Sequence, residues 1–337
     1  MHTLSLYSDM TGCHLGRGLG AVLALGLLAG CASAPPWPET GAAPQAEDIE
    51  PATVMVGDVP FFPQEKYQCG PAALATVLNH RGLDTDPESL KDKVFIPGRQ
   101  GSLQVEMVAT ARAHGLLVYP LEPELGAVLE EVAAGNPVLI LQNLQLDWWP
   151  QWHFAVVTGY DRGEETLILN TGTLEHYSMP HDVFMATWAR ADHWAVVTLP
   201  PTQTPATAQR LPYLRAAHDL EASNHPEAAL TAYRTAEERW PDDPTPIMAQ
   251  GNLAFSQHRV EKATDHFRRA VQRFPGFAAG WNNLGYALEA QGCNVFAYQA
   301  KACAGNLAPE RFDDQSRPTA SSNADHCPAL PSCPLVQ

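Results

Sequence analysis

From residue 69 the apolar positions fall at Ala73, Leu74, Val77 and Leu78, the i, i+3, i+4 spacing of one helix face. Pro71 stands in the first turn of that helix, where its missing N–H costs nothing, and Gly82 ends the run. Residues 103–114 read as a helix capped by Ser102 and stopped by Gly115. A short apolar strand follows over 116–121, then a helix over 124–134 closed by Gly135-Asn136-Pro137, then a buried strand over 138–141. His153 opens an apolar strand that runs to Tyr160. The turn 161–164 and a second strand, 166–170, make a hairpin of it, with His153 and Asn170 at its open end. Phe184 and Trp188, four apart, read as core. Helix first and strands afterwards is an α+β arrangement.

Beyond residue 200 the pattern changes to a repeat of 34 residues. Tyr213, Ile247 and Trp281 recur at that spacing, as do Ala217, Gly251 and Gly285. Ala229, Ala263 and Ala297 form a third column, Ala236, Ala270 and Ala304 a fourth, and Pro241, Pro275 and Pro309 a fifth. Tyr233 and Phe267 match each other, while Lys301 breaks their column. Small residues where two helices cross, a large one between them and a proline after the second helix resemble the tetratricopeptide repeat. That resemblance implies three helix pairs over 210–309 and a groove for a partner protein. An irregular helical bundle is the alternative.

The N-terminus adds a different signal. Arg17 precedes an apolar stretch over 18–29, too short to span a bilayer but suited to a signal peptide. It ends in Leu28-Ala29-Gly30-Cys31, which resembles a bacterial lipobox. That implies removal of residues 1–30 and acylation of Cys31; a plain secretory signal is the alternative. Multiple acyl chains anchor stably. Ala32 follows Cys31 where an Asp would resemble an inner-membrane retention signal, so the expected location is the periplasmic face of the outer membrane. Residues 31–52 and 201–209 read as linkers, bounding a first domain over 53–200.

A net charge of −16 with no Lys/Arg run argues against nucleic acid. Cys293, Cys303, Cys327 and Cys333 cluster near the C-terminus. In an oxidising compartment they allow up to two disulfides, pinning the tail 310–337 to the last repeat, with the pairing open. Their spacing with His326 fits no structural zinc pattern, and neither metal nor cofactor is expected. With Cys31 acylated and those four paired, Cys69 would be the lone free thiol.

Cys69 is where chemistry is expected. At a helix N-terminus the dipole and free N–H groups favour thiolate and lower the pKa. The competing reading is a buried core cysteine. His153 offers a base, against a half-buried strand histidine, and Asn170 an orienting amide, against a turn residue before Thr171-Gly172. Gln64, five residues before Cys69, is the candidate oxyanion donor with the Cys69 N–H; Gln68 is its competitor, and an ordinary surface glutamine the alternative for either. Trp148, Trp149 and Trp152 lie just before His153 and either wall a cleft for an extended peptide or pack their loop onto the core.

The segment PQEKYQCGPAALATVL, followed by HFAVVTGYD and LILN, resembles the papain-fold superfamily of bacteriocin-leader (double-glycine) cysteine peptidases. The resemblance implies a papain-like domain with Cys69 as nucleophile, His153 as general base and acid, Asn170 as orienter and Gln64 as oxyanion donor. Leader peptidases usually carry Asp where this chain has Asn170, and are commonly fused to a transporter. No transporter-like segment or phosphate loop occurs here, so a bacteriocin leader is not the implied substrate. The chain looks like stand-alone lipoprotein members of that group. The expectation is a membrane-anchored cysteine peptidase acting on a peptide or protein, with repeats that bind substrate or partner. The alternatives are an inert envelope adaptor, or an acyl transferase or amidase using the same residues.

Overall fold

Among the described residues, nine strands and eleven helices run from residue 53 to residue 307. The computed structural model describes residues 34–38, 52–64, 68–96, 98, 101–312 and 326–334. The signal-peptide and lipobox expectations, Cys31 included, lie outside the described residues, as does most of the linker 31–52.

The first domain is built on a mixed-length antiparallel sheet in the order β4-β9-β5-β6-β7-β8. Those strands are β4 (Leu117–Pro120), β5 (Val138–Asn143), β6 (Trp152–Asp161), β7 (Thr166–Thr171), β8 (Leu174–Pro180) and β9 (Ala195–Leu199). A short β1 (Thr53–Met55) pairs with the far end of β6. The expected hairpin is β6–β7, with a register shift between Val157 and Gly159. Gly159 is required there, because a Cβ would come within 2.6 Å of the Val54 carbonyl oxygen.

Helix α1 (Cys69–His80) lies across the sheet on β6. The apolar spacing predicts one buried face, yet every residue from Gly70 to Leu78 is buried. Leu74, Val77 and Leu78 pack with Leu139, Leu141, Phe154 and Val156 of the sheet, and α2 (Pro87–Val94) and α3 (Gln104–Ala113) cover the rest of α1. Small Gly, Ala and Thr positions on α1 let those neighbours come close. Asp86 caps α2 by accepting from Ser89 N at 3.0 Å. Ser102 does not cap α3. It sits in β3 (Gly101–Ser102), paired with β2 (Phe95–Ile96), and the N-cap is Leu103 without a side-chain bond. Helix α4 (Leu125–Ala133) starts one residue late of the expected boundary. Helix α5 (His181–Ala189) carries Phe184 and Trp188, both fully buried, against the opposite part of the sheet.

The C-terminal region is all helical, in three antiparallel pairs: α6 (Arg210–Ala222) with α7 (Pro226–Arg239), α8 (Thr245–Ser256) with α9 (Val260–Arg273), and α10 (Ala278–Ala290) with α11 (Asn294–Leu307). The columns of the repeat have their physical reasons. A Cβ on Gly251 would stand 2.4 Å from the Phe267 ring, and one on Gly285 would stand 2.5 Å from Lys301 Cγ. Lys301 thus lays its aliphatic stem where Phe267 lays a ring. Its ammonium sits 4.1 Å from the Tyr286 ring centroid and 2.6 Å from Glu289. Disulfides Cys293–Cys327 and Cys303–Cys333 fasten residues 326–334 to this last pair.

Residues 201–209, expected as a linker, are tied down. Thr207 donates its N–H and hydroxyl to Glu131 at 2.8 and 2.6 Å, and the Tyr119 hydroxyl accepts from Gln209 N at 3.0 Å. Glu131 is fully buried, and its other oxygen accepts from Asn136 at 2.7 Å. Asn136 in turn accepts from Arg81, the C-cap of α1, at 2.8 Å. Arg112 of α3 pairs with Asp219 of α6.

Candidate active site

Cys69 is the first residue of α1, with Gln68 as N-cap in a backbone conformation that makes no side-chain cap. Gly70 follows because nothing larger fits: a Cβ there would lie 2.2 Å from Ser102 Oγ. The thiol is half-buried and lies against the N–H groups of Phe154, Gly70 and Cys69 itself. Burial pushes its pKa up, and those N–H groups only partly offset it. The expected lowering is therefore reversed: the helix N-terminus is present, but desolvation of the thiolate outweighs it.

His153, the second residue of β6, pairs across the ladder with Gln142. Its Nε2 is 2.7 Å from the Thr171 hydroxyl. Burial pushes its pKa down to about 4, so the imidazole is neutral at physiological pH. Cys69 and His153 thus each favour the uncharged form.

Phe154 joins three parts of the site. Its N–H faces Cys69, its carbonyl accepts from Gln64 Nε2 at 3.4 Å, and His153 precedes it in the chain. Gln64 is held by its own N–H on the Gly172 carbonyl at 2.9 Å, and its side-chain Oε1 is buried without a partner. Gln68 is half-buried at the N-cap.

Asn170 stands opposite Val156, three residues along the ladder from His153. Its Oδ1 accepts from the His176 N–H at 3.1 Å, and it is only 3% exposed. The hydroxyl on His153 belongs to the next residue. Side chains alternate along paired strands, so Thr171 takes the sheet face opposite to Asn170, which is the face His153 takes three residues from Val156. Sequence reasoning missed Thr171, since a threonine after a strand asparagine reads as turn composition.

The tryptophans are not packed onto the core. Trp148, Trp149 and Trp152 are 77%, 67% and 52% exposed. Asn143 shapes their loop by accepting from Gln145 N at 3.1 Å and Gln151 N at 2.9 Å. Beside it an open depression of about 480 Å³ is lined by Asn143, Asp147, Trp152 and Arg190 among others. Among the described residues no cluster of His, Cys, Asp and Glu could hold a metal, and no helix is long and apolar enough to cross a membrane.

Residues 56–195 match the model of the Peptidase_C39 like family. This part of the chain is a C39-like domain. Residues 248–292, downstream of the C39-like domain, match a tetratricopeptide repeat model. Three solved structures are similar to the C39-like domain. A protein of Bacillus anthracis described as a C39-like peptidase is 17% identical, with TM-score 0.37, over 44% of this chain and 97% of its own. A double glycine motif protease from an AMS/PCAT transporter, solved with its leader peptide, is 23% identical, with TM-score 0.34, over 43% and 93%. The peptidase domain of Streptococcus ComA, a bi-functional ABC transporter, is 19% identical, with TM-score 0.33, over 41% and 96%. No curated protein matches the chain.

Proposed function

We propose that the C39-like domain is a cysteine peptidase in which Cys69 is the nucleophile and His153 the general base and acid. The observation that carries this reading is that Phe154, the residue next to His153, holds Cys69 at its N–H and Gln64 at its carbonyl. Because both partners rest uncharged, His153 takes the Cys69 proton as sulfur attacks the peptide carbonyl carbon. The C–S bond forms and the carbonyl oxygen becomes an oxyanion, stabilised by Gln64 Nε2 and the Cys69 N–H. Collapse breaks the C–N bond while imidazolium gives its proton to the leaving amine. Water then attacks the thioester, His153 accepting its proton, and the C–S bond breaks to release a carboxylic acid and the free thiol. Asn170 holds the end of β7 closed beside this site. The exposed tryptophans form a wall for an extended peptide.

In the same reading Cys31 is acylated, the domain faces the periplasm on a lipid anchor, and the repeats bind substrate or a partner protein. Two disulfides in the C-terminal region accord with an oxidising compartment.

The test is cleavage of a mixed peptide library, followed by mass spectrometry, using residues 32–337 and the variants Cys69→Ala and His153→Ala. Cleavage lost in both variants is expected. Cleavage retained by Cys69→Ala would overturn the role of Cys69 as nucleophile, and none by the unaltered chain would overturn the peptidase reading in favour of an inert adaptor.

A further inference from the structure

We propose that Thr171 is the positioning residue for His153, a reading that deepens the peptidase assignment and rests on it. Two side chains at the end of β7 compete for this role, and they differ in what they can offer an imidazole. An orienter must accept a hydrogen bond from one ring N–H so that the other nitrogen is free to take the thiol proton. Asn170 has one acceptor atom, Oδ1, and it is engaged by the His176 N–H at 3.1 Å. His153 Nε2 meets the Thr171 hydroxyl and not the second lone pair of that oxygen, and Nδ2, buried and unpartnered, can only donate. The Thr171 hydroxyl lies 2.7 Å from His153 Nε2 and accepts as readily as it donates.

The local backbone is built to hold that hydroxyl. Thr171 pairs with Leu174 across a tight turn, and Gly172 in that turn adopts φ 56°. The Gly172 carbonyl accepts from Gln64 N at 2.9 Å, so one turn fixes both the histidine's partner and the segment bearing the oxyanion donor. Asn170, one step back, lies on the other face of β7, where its bond to His176, itself at φ 51°, holds the end of the strand. The amide thus shapes the strand and the hydroxyl orients the ring. With Thr171 accepting at Nε2, the neutral imidazole carries its proton there and presents Nδ1 as the base.

The experiment is nitrogen-detected NMR of histidine-labelled chain at neutral pH, with the His153 signal assigned by its absence in His153→Gln. The expected result is the Nε2–H tautomer in the unaltered chain and in Asn170→Ala. Thr171→Val should mix the tautomers and lower kcat roughly tenfold with KM unchanged, about the worth of one neutral hydrogen bond. Thr171→Ser should restore both. A proton on Nδ1 in the unaltered chain overturns the proposal without reference to any variant's folding. So does a tautomer that Thr171→Val leaves intact, or one that Asn170→Ala alone disturbs. The tautomer is read without turnover, so the two ideas fail separately. An unmoved tautomer with Cys69-dependent cleavage sinks only the role of Thr171, while absent cleavage sinks the peptidase reading.

Discussion

At the scale of residues, the site is governed by burial more than by the helix N-terminus. The free thiol and the imidazole are each shifted toward their uncharged forms, Cys69 upward and His153 down to about 4. The sign of the pH dependence follows. A base must be unprotonated, so kcat/KM should be lost as pH falls through about 4 and should hold from there through neutrality. A rise centred near 6.5, the ordinary histidine value, would show that the imidazole is better solvated than its surroundings imply. Alkylation of Cys69 by iodoacetamide at pH 7 should accordingly run slower than that of free cysteine, because only thiolate reacts. Cys69, His153 and Gln64 were legible as candidates because each stands beside an unmistakable pattern, an apolar helix start or an apolar strand. The partner of His153 was not, because Asn170 and Thr171 are adjacent and only the pairing of Val156 with Asn170 decides which of them shares the face of His153.

At the scale of elements, periodicity served well wherever one face is buried and poorly where both are. The 34-residue repeat yielded its helix pairs because each column marks a helix crossing. Helix α1 was visible as a helix but not as a central one, since its second face is lined by Ala and Thr rather than large apolar residues. Strand β8 and helix α5 went unread: β8 is exposed along nearly its whole length and carries no alternation. The closest crossing gives an expectation. Gly251→Val should force the Phe267 ring out of place, costing about 1–3 kcal/mol of overpacking, while Gly276→Val, at an open position, should cost much less. Thermal melting of the two variants compares them directly.

At the scale of the whole molecule, a chain of buried polar contacts runs from Arg81 at the end of α1 through Asn136 and Glu131 to Thr207 before α6. Burial pulls Arg81 down to about 10, and Glu131 opposes that pull. Glu131→Ala would strand Asn136 and two Thr207 donors, so a loss of about 3 kcal/mol is expected. In a calorimeter the unaltered chain should melt in one transition from its first strands to its repeats. The variant should melt lower and in two steps; a single unshifted transition would remove the coupling.

The stretch PPTQTPATAQ invites scissors, for by composition it is where one would cut this protein to obtain two smaller ones. Thr207 makes that a poor place to cut. A piece ending at Pro200 would open its fully buried glutamate to water and lose both hydrogen bonds Thr207 supplies, and a piece starting only after Gln209 would leave Tyr213 bereft of the Gln203 carbonyl that its hydroxyl holds at 3.1 Å. Proteases should find this proline- and threonine-rich connection no easier than a helix, and anything that grips the repeats takes hold of the C39-like half as well.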